Sequence, residues 1–346
     1  MFKKIIIPLF SFAVFASCNN SAQSENITAP ENMVWVSGIN FTQGASKNDV
    51  LALAREKPAH PVTVDGFFID KTEVTNAEFQ KFVNETGYLT IAERPIDWEE
   101  IKKQLPDGTP KPADSILQPG SLVFNRNVKN VANLNDYSQW WEWKLGANWK
   151  HPQGPGSDIN ERQNYPVVHI AYADAQEYCK WANRRLPTEA EWEAAAHGKM
   201  PGGIYTWGDD KSRLSEEANT WQGTFPTKNN EEDGYKYIAP VKSFPPNSLG
   251  IYEMAGNVWE MTQDWFNVAY YTEALKSGKI VNPQGAKESY NPANPREHEK
   301  VIKGGSFLCA ESYCASYSIS ARMGQSIDSA SDHTGFRTVA TPQMLQ

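Results

Sequence analysis

RLPTEAEWEAAAHG, residues 185–198, decides how this chain is read. Thr188 and Glu191 stand three apart ahead of an apolar run, the spacing of a capping box, in which each side chain satisfies the other's free backbone amide. Gly198 supplies the stop, because glycine enters the left-handed conformation after a helix at no steric cost. The stretch predicts a helix bounded by Thr188 and Gly198.

The same pattern recurs upstream. In VTNAEF, residues 74–79, Thr75 and Glu78 form a second capping box and Val74 with Phe79 has the spacing of a hydrophobic staple. Phe79, Phe82 and Val83 then share a face before Gly87 ends the helix. Over Ala171–Asn183, residues Ala175, Tyr178, Cys179 and Ala182 fall at helical spacing, which puts the Cys179 thiol in the core as packing. WVSGINFTQG, PVTVDGFFID, KVIKGGSF and GFRTVA read as strands, and the loops between them carry most of the Trp, Pro and Gly. Loops this long in a compact domain serve a function or need something to fix them, and bound metal would do so.

The chain has 346 residues, 40% apolar and 12% aromatic, with 12 Trp. That composition describes a loop-rich globular protein stiffened by aromatic packing and excludes a disordered or fibrous one. The net charge is −8 with no Lys/Arg run beyond the N-terminus, so the electrostatic footprint of nucleic-acid binding is missing. MFKKIIIPLFSFAVFASC, residues 1–18, is a targeting signal: two lysines, an apolar run too short to span a bilayer, and small residues before Cys18. Its end resembles a bacterial lipoprotein signal with FASC as lipobox, although Phe15 is an unusual occupant. On this reading residues 1–17 are removed and Cys18 is acylated. Residues 18–31 form a polar tether, and 32–346 are one domain held by a membrane lipid anchor in the bacterial envelope, facing the periplasm. Exported chains mature in an oxidising compartment, where paired cysteines tend to close disulfides.

GGSFLCAESYCASY, residues 304–317, sets Cys309 and Cys314 five apart behind a Gly-Gly-Ser turn. That offset puts the thiols on different faces of any helix or strand, so they meet only if the chain turns between them. If they meet, a disulfide and a bound soft ion, best matched by Cu(I), are both open. Ala310 and Glu311 supply no positive charge to lower a thiol pKa; a metal would. ANTWQGTFPTKNNEEDGY, residues 218–235, and EMAGNVWE, residues 253–260, set Asn, Asp and Glu beside turns and carbonyls. Such loops are either calcium ligands or simply solvated acidic turns. The six histidines show no HExxH or Cys/His ligand spacing, Ser306 is not in G-x-S-x-G, and no Walker A or dinucleotide fingerprint is present. Zinc catalysis, serine hydrolysis and organic cofactors are not indicated.

Taken in order, FFIDKTEVTNAEF, GANWKHPQGP, YPVVHIAYADAQEYCKWANRRLPTEAEWEAAAHG, ANTWQGTFP, EDGY, AGNVWE, KGGSFLCAESYC and GFR resemble the formylglycine-generating enzymes, or sulfatase-modifying factors. The match runs from about Met33 to Ala340. RLPTEAEWE marks the superfamily; GGS-x-x-C-x-x-S-Y-C is more specific, because many relatives keep the fold without the cysteines. The resemblance implies a single α+β domain of sparse, irregular secondary structure, related to C-type lectin-like folds. It also implies bound Ca2+, a copper-dependent site, and oxidation by O2 of one cysteine in an unfolded sulfatase, within Cys-x-Pro-x-Arg, to Cα-formylglycine.

Carried over residue by residue, the resemblance makes Cys309 and Cys314 the Cu(I) pair, with Ser306, Tyr313 and Trp259 lining the oxygen pocket. It assigns a first calcium ion to Asn219 and Asp233 side chains with Thr220 and Tyr235 carbonyls, and a second to Glu253, Gly256, Val258 and Glu260. The chain also departs from its relatives, which often carry arginines after the second cysteine and a polar or basic residue after the first. Here those places read Ala315, Ser316, Tyr317, Ser318 and Ala310, so the substrate groove differs. His333 falls where Asn is common. Thr338 replaces a cysteine some relatives have, which leaves Cys179 without a disulfide partner. Two other functions stay compatible with the fold: a non-catalytic envelope scaffold of the gliding or secretion type, and a glycan-binding module. The cysteine pair counts against the first, and calcium-dependent glycan binding without the cysteines would mark the second.

Overall fold

The helix Glu189–His197 starts at its capping box. The Glu191 amide donates to Thr188 Oγ1 at 3.0 Å, and the Thr188 amide to Glu191 Oε2 at 2.8 Å. The computed structural model describes residues 28–346, so the expected signal, Cys18 and nearly all of the tether lie outside the described residues. The helix Asn76–Thr86 has the second capping box, closed at 2.8 and 3.3 Å, and ends at Gly87 with φ 67°, whose amide reaches the Val83 carbonyl. The third helix, Tyr172–Trp181, is a residue or two shorter than expected because Asp174 caps the Ala171 amide at 2.9 Å and Ala182 is already its C-cap. Phe79, Phe82, Tyr178 and Phe336 interlock by stacking and edge contacts between these two helices, and Cys179 is buried in the same cluster.

Three of the four segments expected as strands are each split between two sheets, and the glycines show why. Met33–Val36 and Phe67–Asp70 pair antiparallel in one sheet, whereas Ile39–Gln43 and His60–Val64 pair antiparallel in another. Both chains change sheet at the same level, near Gly38 and Gly66. A Cβ on Gly66 would lie 2.2 Å from the Trp35 ring, so only glycine lets the two chains cross there. GFRTVA divides likewise into Thr334–Gly335, beside Trp259, and Val339–Ala340, beside Phe68 and Ile69. The last strand therefore closes the sheet that the first one opens, joining the two ends of the domain.

The sheet that leads into the cysteine loop has four strands, ordered Arg322–Ser326, Glu299–Lys303, Trp259–Trp265 and Thr334–Gly335. The first three are antiparallel, and the fourth runs parallel to Trp259–Trp265. Lys303 pairs with Glu260, so the end of one strand and the start of its neighbour face the same side, each leading into a loop the sequence singled out. A separate hairpin, Gly120–Phe124 with Trp141–Leu145, lies against residues 330–332. Helices and small sheets do not alternate as βαβ units, in keeping with the expected α+β class. Among the described residues no helix is long and apolar enough to cross a membrane.

Two buried ion clusters pin these pieces together. On the helix Glu189–His197, the inward Glu189 accepts both Arg322 Nε and Nη2, at 2.8 and 2.9 Å, and Glu193 accepts Lys303 Nζ at 2.8 Å. Glu260 accepts Arg337 Nε and Nη2, each at 2.6 Å, and Trp192 Nε1 at 2.7 Å. All seven side chains are essentially inaccessible. Buried charges are tolerated when paired in this way, and removing one partner strands the other. The motifs RLPTEAEWE, GNVWE and GFR are thus in large part the two halves of structural ion pairs.

Candidate active site

Lys303, held by Glu193, is the last residue before the turn that presents the cysteines. Gly304 and Gly305 have φ values of 88° and 76°, and a Cβ on Gly305 would sit 2.3 Å from the Ser316 carbonyl oxygen. The chain then folds back on itself. The Cys309 amide donates to the Ser306 carbonyl at 2.8 Å, and the Ala310 carbonyl accepts the amides of Tyr313, Cys314 and Ala315 at 2.9–3.1 Å. This is the turn that an offset of five requires, and it brings the two thiols within hydrogen-bonding reach of each other. They are not bonded to one another.

The two sulfurs are unequal. Cys309 is 2% exposed, and burial, reinforced by its partner, pushes its thiol well up from the ordinary value. Cys314 is partly exposed, and a hydrogen bond from the Cys309 thiol, helped by Ser316, pulls it down. Of the two, Cys314 is thus the sulfur whose thiolate is the more favoured. Ser306 is fully buried; its amide donates to Cys309 Sγ at 3.3 Å and its hydroxyl oxygen accepts the Leu308 amide. Tyr313 stacks on Phe225 at 4.6 Å with its edge toward Trp140, and burial pushes its phenol up to about 12, so it is neutral at any ordinary pH. Trp259 is 1% exposed and packs in the same cluster as Cys309.

The first expected calcium set comes together. Asp233 accepts the Thr220 amide on one carboxylate oxygen and the Tyr235 amide on the other, each at 2.9 Å, and burial pushes it up. Asn219 directs its amide nitrogen to the Tyr237 carbonyl, which leaves its buried Oδ1 with no partner; Gln222 Oε1 beside it is also unpartnered. A buried carboxylate next to orphaned amide oxygens is a donor set suited to a hard cation. The second set is different. Glu260 is committed to Arg337 and Trp192, while Glu253, like Asp233, accepts two backbone amides, those of Lys242 and Phe244. Gly256 lies against Asn219, where a Cβ would meet the Asn219 carbonyl oxygen at 2.2 Å, and Val258 is buried between Asn257 and Trp259. The carboxylate oxygen without a partner in this region is Glu73 Oε2, which the sequence reading did not single out.

The loops around the thiols and the first calcium set are stitched by backbone bonds: Gly256 to Gly304, Asn257 to Asn219, Phe307 to Asn257 and Trp221 to Cys309. Against this geometry, a sequence profile described as "Sulfatase-modifying factor enzyme 1-like domain" matches residues 19–342. The chain belongs to that family. It is 44% identical over 292 residues to the formylglycine-generating enzyme of Mycobacterium tuberculosis, covering 83% of this chain and 91% of that one. Its identity to the Thermomonospora curvata formylglycine-generating enzyme is 39% over 313 residues, covering 90% and 94%. Among solved structures, PvdO from Pseudomonas aeruginosa superposes with a TM-score of 0.59 at 21% identity, over 89% of this chain and 93% of that one. That likeness shows the fold.

As a sulfatase-modifying factor, the chain holds one site feature that spacing could not reveal. Arg55, in the turn Ala54–Glu56, donates Nε to the Arg322 carbonyl at 2.6 Å and stands within electrostatic reach of both thiols. Ala310 and Glu311 bring no positive charge to the thiols, and the cation within electrostatic reach of them comes from about 250 residues away in sequence. Two buried donors near the pair, Tyr317 Oη and Trp221 Nε1, have no partner. Tyr317 lies in the ASYS segment where the sequence departs from its relatives.

Proposed function

We propose that this chain oxidises one cysteine of a sulfatase polypeptide to Cα-formylglycine. The observation that carries the reading is the Cys309–Cys314 pair, two unlinked thiols facing each other on a turn that only glycine can make. In the reaction the substrate Cβ passes from thiol to aldehyde level and its sulfur leaves as sulfide, a two-electron change. Dioxygen takes up four electrons, so a thiol reductant supplies the other two.

Two close thiols with no third His, Cys, Asp or Glu grouped with them, among the described residues, suit Cu(I), a soft ion content with few sulfur ligands. When bound, copper would supply the electron transfer that lets dioxygen react with a thiolate. Cys309 and Cys314 would hold it. Ser306 fixes Cys309 through its amide, Tyr313 offers a neutral hydroxyl beside the pair, and Trp259 seals the floor against water. Asn219, Thr220, Asp233 and Tyr235 would hold Ca2+ and so clamp the loop that backs the thiols. The donor set Glu253, Gly256, Val258 and Glu260 fits a cation less well, because Glu260 is already spent on Arg337. Export and acylation at Cys18 would set the enzyme on the envelope, where exported sulfatases are the substrates.

The test is direct. Copper-loaded protein with O2, a thiol reductant and a peptide carrying Cys-x-Pro-x-Arg should yield an aldehyde that a hydrazide captures, and Cys309→Ser and Cys314→Ser should each abolish it. Absence of aldehyde with the wild-type protein would overturn the reading.

A further inference from the structure

Tyr137 and Trp140 are brought together by a local turn. The Ser138 amide donates to Asp136 at 3.2 Å to open the tight turn Tyr137–Gln139, and the Trp140 amide donates to the Tyr137 carbonyl at 3.1 Å to close it. Side chains three apart nearly eclipse in a turn of this kind, and here the two rings meet at 6.1 Å. Their surroundings differ: Trp140 is 1% exposed and Tyr137 is 62% exposed. A ring with that much surface left in water adds little to the core, so packing does not explain the phenol at 137.

On the inner side Trp140 meets Tyr313 edge to face at 5.7 Å. Tyr313 is covalently joined to Cys314 and stands within electrostatic reach of both thiols and of Tyr137. Tyr313, Trp140 and Tyr137 therefore form an unbroken file from the thiol pair to water. Tyrosine and tryptophan give up single electrons readily, whereas phenylalanine does not. Trp221, also at the pair, rests on Phe124 and Phe225, neither of which passes an electron vacancy on. A second file runs from Tyr317 to Tyr205 at 6.1 Å and on to Trp207 at 4.9 Å. An oxidised tyrosine must shed its phenolic proton, and the buried Tyr317 hydroxyl has no partner to take it, so this file is closed at its inner end. Tyr313 is partly exposed and Tyr137 mostly so, which leaves the first file open at both ends.

We infer that Tyr137, Trp140 and Tyr313 are a relay that carries single electrons from a thiol reductant at the surface to the Cys309–Cys314 site. The inference rests on the proposed oxidation, in which dioxygen takes two electrons more than the substrate cysteine gives. A polypeptide seated on the pair keeps a reductant from touching it, and Tyr137, two rings away, gives that reductant a separate point of entry. In each pass the site gains one electron, Tyr137 loses one electron and its phenolic proton, and the reductant returns a hydrogen atom to the Tyr137 oxygen. Two passes leave two thiyl radicals that couple as one disulfide, so two thiols supply two electrons and two protons. Electron steps between touching rings are fast beside enzyme turnover, roughly 1–1,000 per second, so the relay does not limit the reaction.

The first experiment reads the relay without metal or peptide. A ruthenium polypyridyl photo-oxidant with an iodoacetamide arm is placed on Cys314 of the whole protein, carrying Cys18→Ser to keep the label off that thiol. A flash in the presence of an electron acceptor then creates the vacancy at Cys314, and a spin trap with peptide mapping locates the radical. The radical should collect at Tyr137 and be quenched by added thiol. Tyr137→Phe, altered at an exposed position, should stop it at Trp140, and Trp140→Phe should keep it from reaching Tyr137. A radical trapped at Tyr205 or Trp207 instead, or one that reaches Tyr137 despite Trp140→Phe, would overturn the relay. The second experiment reads its use. In copper-loaded protein with O2 and a thiol reductant but no peptide, Cys309 and Cys314 should pass to sulfinic and sulfonic acids severalfold faster in Tyr137→Phe than in the wild type, as read by mass mapping. Equal rates would overturn electron entry at Tyr137. Failure of aldehyde formation would count against the proposed reaction and leave the photochemical readout intact.

Discussion

At the scale of single residues, the asymmetry between Cys309 and Cys314 has a consequence that needs no metal. Thiolates, not thiols, are nucleophiles, and access matters as much as charge. Cys314 is partly exposed and lowered, whereas Cys309 and Cys179 are buried and raised. Brief treatment of the metal-free protein with iodoacetamide near neutral pH should therefore label Cys314 first, as read by peptide mass mapping; prior labelling of Cys309 would contradict the assignment. Asp264 offers a second test, at a site remote from the chemistry. It is 3% exposed, accepts the Glu189 amide at 2.9 Å, and is pushed up to about 7 by burial and by the Glu189 carboxylate. An unfolded Asp titrates near 3.9, so the fold favours the protonated form. Its contribution is fully present below about pH 4 and is lost as pH rises through about 7. Asp264→Asn does not titrate, so its stability relative to wild type should climb from pH 4 to pH 8, by on the order of 4 kcal/mol if the shift is complete. Chemical denaturation at several pH values measures it, and a gap that stays flat would refute the assignment.

At the scale of elements, the buried pairs matter more than their small size suggests. Glu260 is the second residue of the central strand and Arg337 follows the strand at Thr334–Gly335, so their double hydrogen bond ties the sheet to the terminal closure. Glu260→Gln removes the charge while Arg337 stays buried, and the expected cost is about 3–5 kcal/mol in urea unfolding. Replacing both by apolar residues of similar volume should recover much of that, and a double variant no better than the single would argue that hydrogen bonding to Trp192 dominates instead. The helices were legible from the sequence because a capping box and a glycine stop are local: Thr75, Glu78 and Gly87 act within a dozen residues. The split strands were not, since Gly38 and Gly66 matter only once Trp35 and Val64 lie across from them. The site divides in the same way. The spacing of Cys309 and Cys314 could be read, but not that the thiols meet, nor that Arg55 and Glu193 reach this turn from elsewhere. Long-range pairing carries no period.

At the scale of the whole molecule, a domain with so much loop needs staples, and the first calcium set is placed to be one. Asn219 and Gly256 pair by a backbone bridge, Asn257 links Asn219 to Phe307, and Trp221 holds the Cys309 carbonyl, so three loops distant in sequence meet behind the thiols. A cation on Asn219 Oδ1 and Asp233 would neutralise a buried carboxylate and satisfy an orphaned oxygen in one step. Binding only to the folded state adds about 2.7 kcal/mol at a hundredfold excess over Kd. Calcium should therefore raise the unfolding temperature of chelator-treated wild type. Asp233→Asn, which keeps an amide-accepting oxygen but loses the charge, should blunt that rise strongly. Because these loops carry the Cys309 carbonyl, chelation should also weaken Cu(I) binding in a competition titration, even though calcium touches neither thiol. An unfolding temperature indifferent to calcium would remove the cation from this site. A calcium-dependent unfolding temperature with unchanged Cu(I) affinity would keep the staple but show that the thiol turn, held by Lys303, Gly304 and Gly305, stands by itself.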